Sequence, residues 1–264
     1  MDLKKLSAVL LSLLIINLAA CGSGGDHATP PTAEIGSPDA INIPDNTANA
    51  DYQIIIYGNS HSSQLGSLLE ALISGQLPNT TVDTMTIRGR FLDEIVAQTG
   101  SVDKLKERDW THAIFQGQKY SQSGAKTYPT DATERLIAAA KAQNVMPILF
   151  PEHPQRGNPD EGQQVYELHL SISAKQASCV APIGLVWNRL LEIMPNAVLH
   201  QSDGNHASYA GNVLTAMTFY EVISGELADT LAYNPALTLT EQEQALFAQV
   251  VTEVLALHPA CPSE

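Results

Sequence analysis

The chain has 264 residues, with 14 basic against 28 acidic side chains and a formal net charge of −14 at pH 7. A surface that acidic is a poor partner for nucleic acid or anionic lipid headgroups. The length leaves room for one α/β domain of ordinary size behind a leader.

The leader comes first. Lys4 and Lys5 precede an apolar run over residues 6–20, the layout of a secretory signal. The run is too short to span a bilayer comfortably. It ends Leu18-Ala19-Ala20-Cys21-Gly22, which resembles a bacterial lipobox with Cys21 as the lipidated first residue. That resemblance implies a cell-envelope protein anchored through lipid on Cys21, and two or more acyl chains make anchoring durable. Gly22 after the cysteine would direct it to the outer membrane in a Gram-negative organism. Residues 22–50 are Gly, Ser, Pro, Thr, Asp and Ala without a period. They read as a flexible tether spanning about 30 Å. The expected organisation is a signal peptide over 1–20, lipidated cysteine and tether over 21–50, and one domain over 51–264.

Inside the domain, residues 53–57 (QIIIY) form an apolar run without alternation, broken by Gly58-Asn59. That is a strand buried on both faces, as in a parallel sheet. Leu65, Leu68, Leu69, Leu72 and Ile73 then fall on one helical stripe. Residues 81–87 form a second strand, ending in Arg88-Gly89-Arg90, and a helix follows over 91–98, resuming over 102–106. Residues 111–116 are a third strand, 131–143 a helix and 145–150 a fourth strand. A helix over 161–177 leads to a fifth strand over 180–187, weakened by Pro182 and Gly184, and a helix to 194. Helices over 207–224 and 240–257 complete the chain. Strands alternating with helices predict an α/β three-layer α/β/α sandwich around a five-stranded parallel sheet, flavodoxin-like. There is no internal repeat, glycine-rich nucleotide loop or metal-spaced Cys/His cluster.

The chemistry gathers in two segments. Ser60 stands where the first strand gives way to a helix, the edge at which open α/β sheets place their ligands. Asp203 and His206 lie three apart in Gln201-Ser202-Asp203-Gly204-Asn205-His206, just before an apolar helix. A serine hydroxyl needs a neighbouring base, histidine suits that duty near neutral pH, and an acid fixes the ring's tautomer. Met alone, either segment reads as helix capping; together they read as a nucleophile, a base and its orienting acid.

With those residues in place, the chain resembles the SGNH (GDSL-like) hydrolase family over residues 52–226. Gly58-Asn59-Ser60 stands where the family has Gly-Asp-Ser. Asp203-Gly204-Asn205-His206 matches its D-G-x-H block, and Tyr209-Ala210-Gly211-Asn212 continues the similarity. The resemblance implies a serine esterase with Ser60, His206 and Asp203 as its triad and Ser60, Gly89 and a side chain after the third strand as oxyanion donors. That third block departs from the pattern, with Phe115-Gln116-Gly117-Gln118 replacing G-x-N-D. It is similar to the Q-G-E version of sialate and acetylxylan esterase branches, which puts Gln118 in the asparagine's position, with Gln116 as the alternative. The expected substrate is a small-molecule or glycan ester, with no cofactor, no metal and a monomeric chain. A binding lipoprotein that kept the fold and lost turnover is the alternative. His61, His153, Arg90 and Tyr120 lie along the same sheet edge as candidates for lining the pocket. In an oxidising compartment Cys179 and Cys261 are either a disulfide or two thiols, which spatial distance alone decides.

Overall fold

The computed structural model describes residues 42–262; the signal peptide, Cys21 and most of the tether expected from the sequence lie outside the described residues. Three consecutive isoleucines set the architecture. All are fully buried, yet neighbours along a strand point to opposite faces. Ile54 and Ile56 join one core cluster, Ile55 and Tyr57 the other. Only a strand covered on both sides accepts such a run. Accordingly β1 (Asp51–Gly58) lies between β2 (Thr81–Arg88) and β3 (His112–Gln116), with β4 (Met146–Phe150) and β5 (Cys179–Val180) beyond. The order is β2-β1-β3-β4-β5 and every pairing is parallel. This is the expected three-layer sandwich, in the flavodoxin-like order.

The helices α1 (Leu65–Gln76), α5 (Ile183–Ile193), α6 (Tyr209–Ser224) and α7 (Glu241–Leu257) cover one face. The other face carries α2 (Leu92–Val96), α3 (Asp131–Lys141) and α4 (Pro159–Lys175). α6 is buried almost all round, which a nearly uniform apolar sequence requires. Its start is fixed by the Ser208 hydroxyl, which accepts Gly211 N–H, and its end by Gly225 at φ 71°. α7 opens on a capping box between Thr240 and Glu243.

Three expectations change. β5 has only two residues, and residues 183–187, expected to extend it, open α5 instead. Pro182 occupies the N-cap, and Ile183, Val186, Trp187 and Leu190 fall on the buried helical face; a short apolar run reads alike in either state. The helix expected over 91–98 stops at Val96, and the resumption is a 3₁₀ turn at Asp103–Lys106. Residues 42–50, expected in the tether, lie on the domain. Ile43 packs on the core, and Asn46 Nδ2 donates to the Thr111 and Asn144 carbonyls at 2.8 and 2.9 Å.

Cys179 and Cys261 form a disulfide. Beside it Val180 N–H donates to the Ala260 carbonyl at 2.7 Å, so the C-terminal tail is tied to β5. No helix of the described residues is long and apolar enough to cross a membrane.

Candidate active site

The site begins where β1 runs out. A Cβ on Gly58 would fall 2.4 Å from Ser62 Oγ and 2.7 Å from Gln116 Oε1, so the backbone must be bare for the next turn to fold against β3. Asn59 then organises that turn with every polar atom it has. Its N–H donates to Gln116 Oε1 at 2.7 Å, its Oδ1 accepts His61 N–H at 3.0 Å, and its Nδ2 donates to the Arg90 carbonyl at 2.9 Å. The result is a 3₁₀ turn, Ser60–Ser62, that presents an exposed Ser60 above the sheet.

The second piece is the loop from His200 to Ser208. An isolated antiparallel bridge, His200 with Ala207, pinches its ends, and Gly204 makes the bend at φ 70°. Arg156 N–H donates to the Gly204 carbonyl at 2.9 Å, and its guanidinium holds the His200 and Gln201 carbonyls. His153 Nε2–H donates to the Asn205 carbonyl at 2.9 Å. Its ring stacks on Trp187, centroids 3.9 Å apart. A Cβ on Gly211 would meet the Leu199 carbonyl at 2.3 Å and the Trp187 ring at 2.5 Å. The start of α6 is therefore pressed directly against the base of this loop.

Across the gap, Ser60 Oγ lies 2.9 Å from His206 Nε2, and His206 Nδ1 lies 2.6 Å from Asp203 Oδ2. Asp203 Oδ1 also accepts the Asn205 and His206 backbone N–H groups. The imidazole bond foremost, then the backbone donors, holds the Asp203 carboxyl far below the usual range. An ionised carboxylate only accepts, so His206 carries its proton on Nδ1, and Nε2 is left to accept from the Ser60 hydroxyl. The sequence separation between Ser60 and His206 is 146 residues; the parallel sheet brings the two together at its carboxyl edge.

These residues open into a cavity of about 620 Å³, lined among others by Arg90, Phe91, Tyr120, Tyr128, Glu152 and Gln118. Arg90 and Tyr120 thus stand in the wall where the sequence placed them. His153 does not: it is 4% exposed, bound to Asn205 and stacked on Trp187, and it braces the loop from beneath. Among the described residues no group of three His, Cys, Asp or Glu side chains could hold a metal ion.

Two expected oxyanion donors are engaged elsewhere. Gly89 N–H donates to the Gly58 carbonyl at 3.1 Å, and a Cβ there would meet Ile95 at 2.2 Å, so this glycine serves the packing of α2. Gln118 gives its amide hydrogens to the Lys119 and Pro129 carbonyls, while its Oε1 accepts from Thr133 at 2.6 Å. Its side chain ties the 117–130 loop to α3. The alternative, Gln116, is fully buried, accepting from Asn59 and donating to Glu152 Oε1.

Glu152 and the partnership of His61 are not legible in the sequence. The first has only its place after the fourth strand as a signal. The second stacks on His206 with centroids 5.0 Å apart, a contact between segments far apart in the chain that no spacing announces.

No family model and no curated protein matches the chain. Among solved structures it is similar to a DUF4886 family protein from Bacteroides uniformis, with a TM-score of 0.59, 15% identity, and coverage of 81% of this chain and 98% of that one. The psychrotrophic esterase EstA from Pseudoalteromonas sp. aligns with a TM-score of 0.49 and 18% identity, covering 66% and 98%. A lipase/acylhydrolase from Enterococcus faecalis gives 0.47 and 14%, covering 66% and 96%. What the first of these likenesses establishes is a shared α/β fold.

Proposed function

We propose that this protein is a serine hydrolase that cleaves small carboxylic esters, with Ser60 as nucleophile, His206 as general base and Asp203 as the acid that orients it. The observation that carries the reading is the unbroken line from Ser60 Oγ through His206 to Asp203, with steps of 2.9 and 2.6 Å. In the first half-reaction Ser60 Oγ bonds to the ester carbonyl carbon while its proton passes to His206 Nε2. The C–O bond to the alcohol then breaks, and the same proton leaves with the alcohol. Water repeats the sequence on the acyl-enzyme and returns the serine. Ser60 N–H, at the first position of its 3₁₀ turn, has no acceptor within the turn, and it is our oxyanion donor. Arg90, the one Arg or Lys among the described residues lining the cavity, adds positive charge there. A well-placed donor is worth a few kcal/mol of barrier.

The experiment is hydrolysis of p-nitrophenyl acetate by the full chain and by Ser60→Ala. The reading requires Ser60→Ala to lose at least about 10³-fold in kcat; full retention would rule it out.

A binding protein without turnover is the second reading. The engaged amides of Gly89 and Gln118 favour it, because they remove two donors the reaction was expected to use. Stoichiometric acylation of Ser60 by an activated ester counts against it. We also propose, from the lipobox resemblance alone, that Cys21 carries lipid and tethers the domain to the cell envelope. Labelled palmitate incorporated by the wild type and not by Cys21→Ser is the expected result; equal incorporation would refute it.

A further inference from the structure

The cavity beside Ser60 holds an acid that the proposed reaction does not use. Glu152 follows β4 by two residues, at the edge of the sheet where ligands collect, and lines the same cavity as Ser60, His206 and Tyr120. Its Oε1 accepts from Gln116 Nε2, and Gln116 Oε1 in turn accepts Asn59 N–H. The carboxyl is thereby fixed, through one neutral amide, to the turn that carries Ser60.

The charged and titratable groups around it come from every neighbouring segment. From α4 comes Glu161, which takes the Tyr120 hydroxyl at 2.8 Å and Gln155 N–H at 2.7 Å. The loop before α6 brings His206, with Asp203 behind it. The turn after β1 brings His61, and the segment after β2 brings Arg90, exposed on the cavity wall. Negative groups outnumber the one fixed cation, and the hydrogen-bond partner of Glu152 is itself uncharged.

Resting on the hydrolase reading, we propose that Glu152 is a specificity residue that sorts substrates by charge. When ionised it turns away esters bearing an anionic acyl or alcohol part and accepts hydrogens from hydroxyl- or amide-bearing neutral ones. Burial, reinforced by Glu161 and opposed by Gln116 and His206, lifts the Glu152 carboxyl to about 7. The sorting therefore sharpens as pH rises through neutrality.

The test compares kcat/KM of the full chain on 2-acetoxyacetate and 2-acetoxyacetamide, esters of matched size of which only the first is anionic. The ratio of the two, taken within one protein, cancels the titration of the base and any general loss of activity. In the wild type the anionic-to-neutral ratio falls about tenfold between about pH 5.5 and about pH 8.5, the scale expected for a charge a few ångströms away in a partly screened site. In Glu152→Gln, which keeps an acceptor for Gln116, the ratio stays level. A level ratio in the wild type overturns the proposal. So does a fall that persists in Glu152→Gln, which would show that the titrating charge is not that of Glu152. If Glu152→Gln does not fold, Glu152→Asp decides: its shorter, better-solvated carboxyl moves the midpoint to lower pH, and an unmoved midpoint overturns the proposal. Hydrolysis of neither ester by the wild type counts against the hydrolase reading instead. The anionic-to-neutral ratio is then taken from dissociation constants, where a fall with pH supports the charge sorting and a level ratio overturns it.

Discussion

His61 lies face to face with His206, ring centroids 5.0 Å apart and planes 16° from parallel. Burial holds His61 at about 4, with the neighbouring His206 pushing the same way, so the stacked ring is neutral wherever the base must accept a proton. In the proposed reaction the stack would keep the imidazole plane aimed at Ser60. His61→Phe preserves a ring in that place and should cost under about threefold in kcat/KM, whereas His61→Ala should cost about tenfold or more, since small misplacements of a reacting group are expensive. Equal losses in the two variants would show that the stack does not position the base.

Asp203→Asn keeps an oxygen for the Asn205 and His206 backbone donors but places an NH₂ where Oδ2 faces Nδ1. The imidazole must then accept on Nδ1 and carry its proton on Nε2, toward Ser60. Esterase activity should fall about 10³-fold or more with the melting temperature held within a few degrees. Activity close to wild type would mean that Asp203 only shapes the loop.

Stability should depend on acid through buried imidazoles. Burial depresses His112 and His153 to about 3, and His61 and His169 to about 4. Folded values below the unfolded one mean stability that is complete above about 6.5 and lost as pH falls toward the folded values. Glu152 acts in the opposite sense. Its raised carboxyl stabilises the fold below its unfolded value and loses that contribution as pH climbs through about 7. Four groups outweigh one, so the melting temperature should rise by more than about 5 °C from pH 4.5 to 6.5. A flat profile over that range would contradict the burial of these rings.

The Cys179–Cys261 bond closes a span of 82 residues. A loop of that length restricts the unfolded chain by about 4 kcal/mol in the chain-entropy view. Scanning fluorimetry of Cys261→Ser, or of the wild type under reductant, should show a melting temperature lower by about 10 °C. No shift in either would mean that the tail adds nothing to the domain.

The architecture is legible because the 53–57 run suits only a doubly covered strand, and because strands and helices alternate at βαβ spacing. The line of Ser60, Asp203 and His206 is legible from two local patterns. Residues 183–187 mislead because Ile-Gly-Leu-Val-Trp suits a buried helix face as well as a buried strand, and packing against α4 and α7 decides between them. Two of the three expected oxyanion donors, Gly89 and Gln118, are engaged elsewhere for a related reason. A glycine after β2 and a glutamine after β3 mark positions on the chain, but whether an amide hydrogen is free depends on partners such as the Gly58, Lys119 and Pro129 carbonyls. Glu152 is invisible in the sequence because a carboxylate in a loop looks solvated until the cavity closes around it.

Activation of the Ser60 hydroxyl by His206 is tested by intact-protein mass spectrometry after exposure to a fluorophosphonate. A single phosphonyl adduct on Ser60 is expected in the wild type, formed at least about 10³-fold more slowly in His206→Ala. An unmodified Ser60 in the folded wild-type protein, or labelling at equal rates with and without the imidazole, would contradict it.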